Sequence, residues 1–488
     1  MVAKRPVLHL KSHGLIDPEE DRTIDLAVFD VLLPCRNFSI DHKVAVLGRT
    51  SLTTEFLLRL VKAVPGISEE DAAAFFGFNM RETSFVLSEA ETPGYVDRRD
   101  GRLWMTAAGD GLFRDGGSEP EIFAVEPHRR QVGFDLLSLA PQRARFLTQF
   151  ERGLPELEIS DEELAGNAAA RIPQAFRSFF TDIIDRRERS KNEKKDLYSV
   201  DYVLAENRFL AAVRTLIRAQ ASYPSSEECD LTLWRPEHEQ AERPEVVRAV
   251  ASFIEGLKLS RNEDTATAYN VLIELAPEYL KEFTRRDGLA VERYYREAIL
   301  RVGDVRADRR TAPIVGSLLL PENRRRFFDV LGYGSRQQTI APRFVLWLAP
   351  QVPFWNATSV LDETVTGICT YWNEQHVDTP TDAVTSICLT ERRPPRYLEK
   401  AFDVISATDQ RRFPGPLEVL LVPQVAVAAV VHAPIGAPRG FGVPLGIVSF
   451  DPAVLERTAQ YVLGHLSAHV AEDSLYSKLV AALSTEKC

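Results

Sequence analysis

Residues 51–113 read SLTTEFLLRLVKAVPGISEEDAAAFFGFNMRETSFVLSEAETPGYVDRRDGRLWMTAAGDGLF, and the reading of this stretch decides how the rest of the chain is parsed. Ser51 or Thr53 is placed to cap a helix in which Phe56, Leu57, Leu60 and Val61 recur at helical spacing. Pro65 and Gly66 end it, because proline lacks an amide hydrogen and glycine accepts the turn. Ser68, followed by Glu69, Glu70 and Asp71, starts a second helix with acids against the positive end of its dipole. That helix carries Ala72, Ala73, Phe75 and Phe76 and closes at Gly77. A third is expected from near Asn79 through Val86, Leu87 and Ala90, ending at Pro93 and Gly94. Tyr95 to Met105 alternates and turns at Asp100 and Gly101, a strong hairpin signal, and Thr106 to Gly109 follow the second strand.

The run YVDRRDGRLWMTAAG, Tyr95 to Gly109, resembles the wing and the following helix start of the winged-helix family of bacterial regulators. The resemblance spans about one-eighth of the chain and concerns residues 44–115 only. It implies a helix pair and a basic β-wing that dock on duplex DNA, a module that also serves as a protein–protein connector. By that resemblance the third helix lies in the major groove, with Arg81, Thr83 and Ser84 facing base edges or phosphates and Arg98, Arg99 and Arg102 on the wing. Glu82, Glu89 and Glu91, set against a single arginine on the third helix, depart from the basic surface of a DNA reader. The docking-domain alternative therefore stays open.

At 488 residues the chain is expected to form two to four domains with ample core. A net charge of −11 argues against a protein that coats nucleic acid along its whole surface, while leaving room for local basic patches. The excess of arginine, 47 against 12 lysines, reflects a GC-rich bacterial genome more readily than RNA binding. Cysteines 35, 229, 369, 388 and 488 lie far apart without a CxxC pair, the usage of a reducing cytoplasm. The N-terminus lacks the apolar core of a signal peptide, and the longest apolar run, Val419 to Ala433, is broken by Pro423 and Gln424. A soluble, cytoplasmic protein without a membrane partner is expected.

Changes in composition suggest a multi-domain α/β (α+β) chain. Residues 1–43 hold two strand-like runs, Val7 to Leu10 and Asp25 to Leu33, expected to pack on the winged helix of 44–115. Residues 116–150 read as a linker, with helix starting within Gln131 to Leu147. Residues 151–335 read as mostly helical, with amphipathic stretches at Ala175 to Arg189, Pro244 to Leu259 and Thr267 to Phe283, and a hinge at Gly332 to Ser335. In residues 336–488, strands are expected at Phe344 to Ala349, Ala383 to Leu389, Leu417 to Val422, Ala426 to His432 and Leu445 to Phe450. Helical spacing between them, at Val360 to Tyr371, Pro395 to Ile405 and Ala453 to His469, predicts a C-terminal α/β layer domain.

Two basic clusters lie in the middle region. Arg186 to Lys195 interleaves both signs, the look of a solvated surface, whereas Arg306, Arg309, Arg310, Arg324, Arg325 and Arg326 are less diluted and are candidates for a phosphate backbone. Catalytic candidates are sparser. His465 and His469 stand one helical turn apart, but no glutamate follows the first, so the zinc-protease pattern is absent. Trp234 to Glu239 gathers His238 between carboxylates, as a loop and helix start would. His432 ends a strand ahead of the glycine-rich run Gly436 to Gly446, where ligands collect in open α/β domains. That layout, with Gly446 to Ser449 in the next strand, is similar to the second half of phospholipase-D-like nucleases, although Pro434 stands where that family needs a lysine.

No phosphate-binding loop, dinucleotide fingerprint, nucleophile elbow or kinase signature occurs in the chain. These readings lead to a non-enzymatic DNA-associated component of a multi-protein DNA-processing or phage-defence system, an expectation that rests on architecture. Its expected partners are duplex DNA and other protein subunits, with no cofactor and no metal. A nuclease-like enzyme with an unusual C-terminal domain and a winged-helix connector that binds protein are the alternatives.

Overall fold

The computed structural model describes residues 15–16, 21–47, 51–113, 117, 120, 123–184, 195–234, 243–300, 305–337, 343–375, 383–391, 393–407 and 412–466. Helices and sheets are mixed, as the α+β expectation required. The chain divides into two compact units. One comprises Cys35–Arg143 and Glu163–Phe209, the other Met1–Pro34, Ala144–Glu162 and Leu210–Cys488.

In the first of these units, strand β1 (Thr23–Leu47, which begins in the other unit) is followed by α1 (Leu52–Ala63), β2 (Ile67–Ser68), α2 (Glu69–Phe76), α3 (Met80–Glu91), β3 (Val96–Arg99) and β4 (Arg102–Met105). The short strands form an antiparallel sheet in the order β2-β4-β3. Each helix starts where the sequence predicts. Ser51 accepts from the Thr54 amide, Ser68 from the Asp71 amide, and Asn79 forms a reciprocal capping box with Glu82. The β3–β4 turn places Asp100 at φ 53° and Gly101 at φ 69°, the left-handed pair of a tight hairpin. Leu57, Leu58, Val61, Val86, Leu87, Val96 and Leu103 close one core among the three helices and the sheet. Phe56 and Phe75, expected on the apolar stripes, are instead exposed.

From Cys35 onward β1 pairs antiparallel with β5 (Phe123–Asp135), Cys35 opposite Asp135. Helix Ala168–Ile183 brings Phe176 and Phe180 edge-on to the buried His42 ring, which also stacks on His128. Burial lowers the pKa of His42 below its ordinary value.

The second unit is built on a seven-stranded mixed sheet. Its order is Thr311–Val315, Val443–Ser449, Ala426–Ala433, Leu417–Val422, Phe344–Leu348, Thr385–Thr390, Val404–Ala407. The last three strands run parallel to one another and the rest are antiparallel. Every residue of the strands Leu417–Val422, Ala426–Ala433 and Val443–Ser449 is buried, the continuous apolar pattern of a sheet covered on both faces. Helices Glu263–Leu275, Pro321–Ser335 and Pro452–Leu466 pack against it. Gly446 is required there, because a Cβ would collide with the Ala429 carbonyl oxygen and the Val430 backbone.

A buried clamp ties the start of this unit to its middle. Arg214 holds Asp30 through two hydrogen bonds of 2.7 and 2.9 Å, and Asp30 accepts from the Thr358 hydroxyl and the Ser359 amide at the start of helix Ser359–Gln375. A carboxylate there satisfies an orphan amide of the first helical turn.

Several expectations change. The residues read as mostly helical, 151–335, include a 26-residue strand, β6 (Lys195–Gln220), whose end pairs with Glu227–Asp230. Gln131 to Leu147 opens as the end of β5, not as helix. Gly332 to Ser335 is the last turn of helix Pro321–Ser335 and not a hinge; Gly334 is kept small by the Val425 carbonyl beside it. Unit boundaries fall at residues 34, 143, 162 and 209, and not at the composition changes near 43, 115, 150 and 335. The expected strand Val7 to Leu10 lies outside the described residues, as do Arg186 to Lys194. No helix among the described residues is long and apolar enough to cross a membrane.

Candidate functional site

Two surfaces gather the residues singled out by sequence. The first is the face of α2, α3 and the β3–β4 hairpin. Arg98 reaches Glu69 and Glu91, both at 3.1 Å. Arg99 bonds Asp97 at 2.7 Å, and Arg102 donates to the Gly66 carbonyl at 2.8 Å. All three hairpin arginines are thus engaged within the unit. Thr83 donates back to the Asn79 carbonyl, whereas Arg81 and Ser84 stand exposed, Arg81 without a side-chain partner among the described residues.

The acids of α3 are occupied too. Glu82 completes the capping box and Glu91 pairs with Arg98. Glu89 accepts from Ser51 and Thr54, both at 2.7 Å, and these two hydroxyls hold its carboxyl below the usual range. What remains outward on α3 is Arg81, Ser84, Phe85 and Ser88. Beside them stand large apolar side chains that sequence reasoning had assigned to no surface: Phe75 is 69 % exposed, Met80 90 % and Phe85 63 %. Residues 51–113 carry six basic and ten acidic side chains, a net charge of −4.

The middle arginines do not form a free patch. Arg324 faces Glu363 at 3.4 Å and Arg325 bonds Asp329 at 3.1 Å. Arg326 is buried, while Arg306 and Arg309 bridge each other through their backbones and the Arg310 carbonyl accepts from Phe450.

The second surface lies in the large sheet. Glu418 is fully buried in the centre of strand Leu417–Val422, and His432 ends its neighbour. Trp347 Nε1 donates to Glu418 Oε1 at 2.9 Å, and His432 Nε2 meets Glu418 Oε2 at 2.5 Å. A carboxylate only accepts, so in the neutral imidazole the hydrogen sits on Nε2 and Nδ1 keeps a lone pair. His432 lines two hollows. One is a cleft of ≈ 360 Å³ with Lys258, Asn262, Asp264, Gln351 and Gly415; the other is a smaller cavity toward Ser317, Trp355 and Asn356. A lone carboxylate in the apolar run from Leu417 to Val422 was the sequence signal for Glu418; nothing comparable marked Trp355 or Asn356.

The remaining histidine candidates separate. His465 accepts or donates at the Tyr461 carbonyl, 2.8 Å away, and packs on Phe413 and Tyr461, a helix-end role. His469 lies outside the described residues, as does the run from 235 to 239. No group of three metal-ligating side chains occurs among the described residues. No family model, curated protein or solved structure matches the chain.

Proposed function

We propose that residues 51–113 form a winged helix-turn-helix that docks this protein into a larger assembly, and that its partner is a protein surface, apolar at the centre and basic at the rim. The observation that carries this is the exposure of Phe75, Met80 and Phe85 on a segment of net charge −4 whose hairpin arginines are engaged internally. Clustered exposed apolar side chains mark association sites, and the surplus acids call for lysine or arginine across the contact. The same charge argues against a second copy of this face as the partner. The element order of one helix, a short strand, two helices and a hairpin, with sheet order β2-β4-β3, supports the winged-helix reading.

Duplex DNA is the second reading. Arg81, Ser84 and Ser88 share the outward side of α3, and the three acids of that helix are held by caps and an ion pair.

One experiment separates the two. The purified chain is titrated with a labelled amphipathic Leu/Lys helical peptide and with a short random-sequence duplex, each over a range of salt. Peptide binding that is lost on Phe75→Ser/Met80→Ser/Phe85→Ser supports the protein partner. Duplex binding that falls steeply with salt, and is lost on Arg98→Ala/Arg99→Ala/Arg102→Ala, overturns it in favour of DNA.

A further inference from the structure

We infer that the small cavity beside the Glu418–His432 pair is a binding site for a neutral primary carboxamide, a molecule offering one carbonyl oxygen and one N–H. The cavity measures about 30 Å³, room for a molecule of only a few heavy atoms, and is lined by Ser317, Trp355, Asn356, His432, Phe441 and Gly442 among others. Two of these residues carry donors that the fold leaves without acceptors. Trp355 is 4 % exposed and Asn356 7 % exposed, and neither Trp355 Nε1 nor Asn356 Nδ2 has a hydrogen-bond partner. Buried N–H groups are almost always satisfied, so two side by side on one cavity call for an acceptor.

The other end of the Asn356 amide is fixed. Its Oδ1 accepts from the Ser317 hydroxyl at 3.3 Å, and Ser317 Oγ in turn accepts from the Leu319 amide. That chain orients the amide with its nitrogen left over. The loop holding both donors is built with Phe354 at φ 48° and Asn356 at φ 51°, conformations that bulky residues avoid unless the surroundings impose them.

The third feature is His432. Its Nε2 is committed to Glu418, and Nδ1 has no partner among the described residues. The cavity therefore offers two donors and one acceptor. A carbonyl oxygen has two lone pairs for Trp355 and Asn356, and an amide N–H suits the Nδ1 lone pair. An anion fits less well. No lysine or arginine lines the cavity, and the buried Glu418 carboxylate stands behind His432.

The test uses the full chain labelled with 5-fluorotryptophan. Its five tryptophans give separate fluorine resonances, and Trp355→Phe identifies the one of interest. Acetamide is expected to move the Trp355 resonance saturably, while sodium acetate at matched ionic strength does not. Asn356→Gly removes the amide at a backbone angle glycine tolerates, and His432→Gln keeps a donor for Glu418 while removing the ring lone pair. Each is expected to weaken the acetamide response about tenfold, the order of one buried hydrogen bond. Unaltered melting of both variants shows that the fold is intact. An equal response to acetate, no response to either probe, or an unchanged response in both variants would overturn the assignment. The result is independent of what the winged-helix face binds.

Discussion

The two sheets of this protein follow opposite rules of burial. In the large sheet, strands Leu417–Val422, Ala426–Ala433 and Val443–Ser449 hide every side chain, so the informative residues are the polar ones: Glu418, His432 and Ser449. In the small sheet, β3 and β4 bury Val96 and Leu103 and leave Arg99 and Arg102 in solvent, so the informative residues nearby are the apolar ones left outside. A buried carboxylate and an exposed phenylalanine are the same kind of signal, read against different backgrounds. One points to an internal cavity and the other to a partner.

The contrast can be broken most severely at glycine. Gly446→Val drives a side chain into the Ala429 carbonyl of the neighbouring strand and is expected to cost roughly 4 kcal/mol or more, abolishing the cooperative melt of the large-sheet unit. Gly77→Ala, by comparison, meets no atom within 4 Å and carries only the strain of φ 70°, about 1 kcal/mol by urea titration. Similar costs at the two sites would mean that the large sheet yields as readily as the small domain.

Charge pairs should show the next largest difference. Glu418→Ala strands Trp347 Nε1 and His432 in the core and is expected to cost about 3 kcal/mol. Glu69→Ala removes a partly exposed partner of Arg98, which still has Glu91, and is expected to change stability by about 0.5 kcal/mol or less after solvent screening. Denaturant midpoints of the two single variants check this directly.

The smallest effect sharpens the assignment of transitions to units. Burial holds the pKa of His42 below its ordinary 6.5, so the unfolded chain takes up the proton more readily than the folded one. The stability of the His42-containing unit is therefore complete above about pH 6.5 and falls as pH drops from there toward the folded pKa. In His42→Phe that slope should vanish from the transition of this unit alone; its persistence would place the proton uptake elsewhere.

Much of the large sheet was legible because its strands are pure. Leu417–Val422 is a short apolar run bounded by proline on both sides, and its limits match the expectation. The caps at Ser51, Ser68 and Asn79 were legible for the same reason, each being a local hydrogen-bond device. β6 was not. Its run from Ala205 to Gln220 mixes alanine, leucine, arginine and glutamate, good helix formers that long-range pairing overrides. Thr311–Val315 was passed over as a spacer between arginines, with a proline that sits on the edge strand of its sheet. Of the cavity, Glu418 and His432 stood out in the sequence, whereas the donors depend on positive φ angles at Phe354 and Asn356 that no local pattern announces.

The discontinuous division of the chain also sets an order of events during synthesis. The unit holding His42 and α3 is complete once residue 209 has emerged. The segment around Asp30 emerges earlier still, yet its partners are Arg214 and, 328 residues along the chain, Thr358. On a ribosome adding about 5–20 residues each second, the start of β1 therefore waits for tens of seconds before its clamp exists. During that interval Leu26, Val28 and Phe29, all buried in the finished fold, have nothing of their own unit to cover them, so the earliest part of the large unit to be made is the last to be secured.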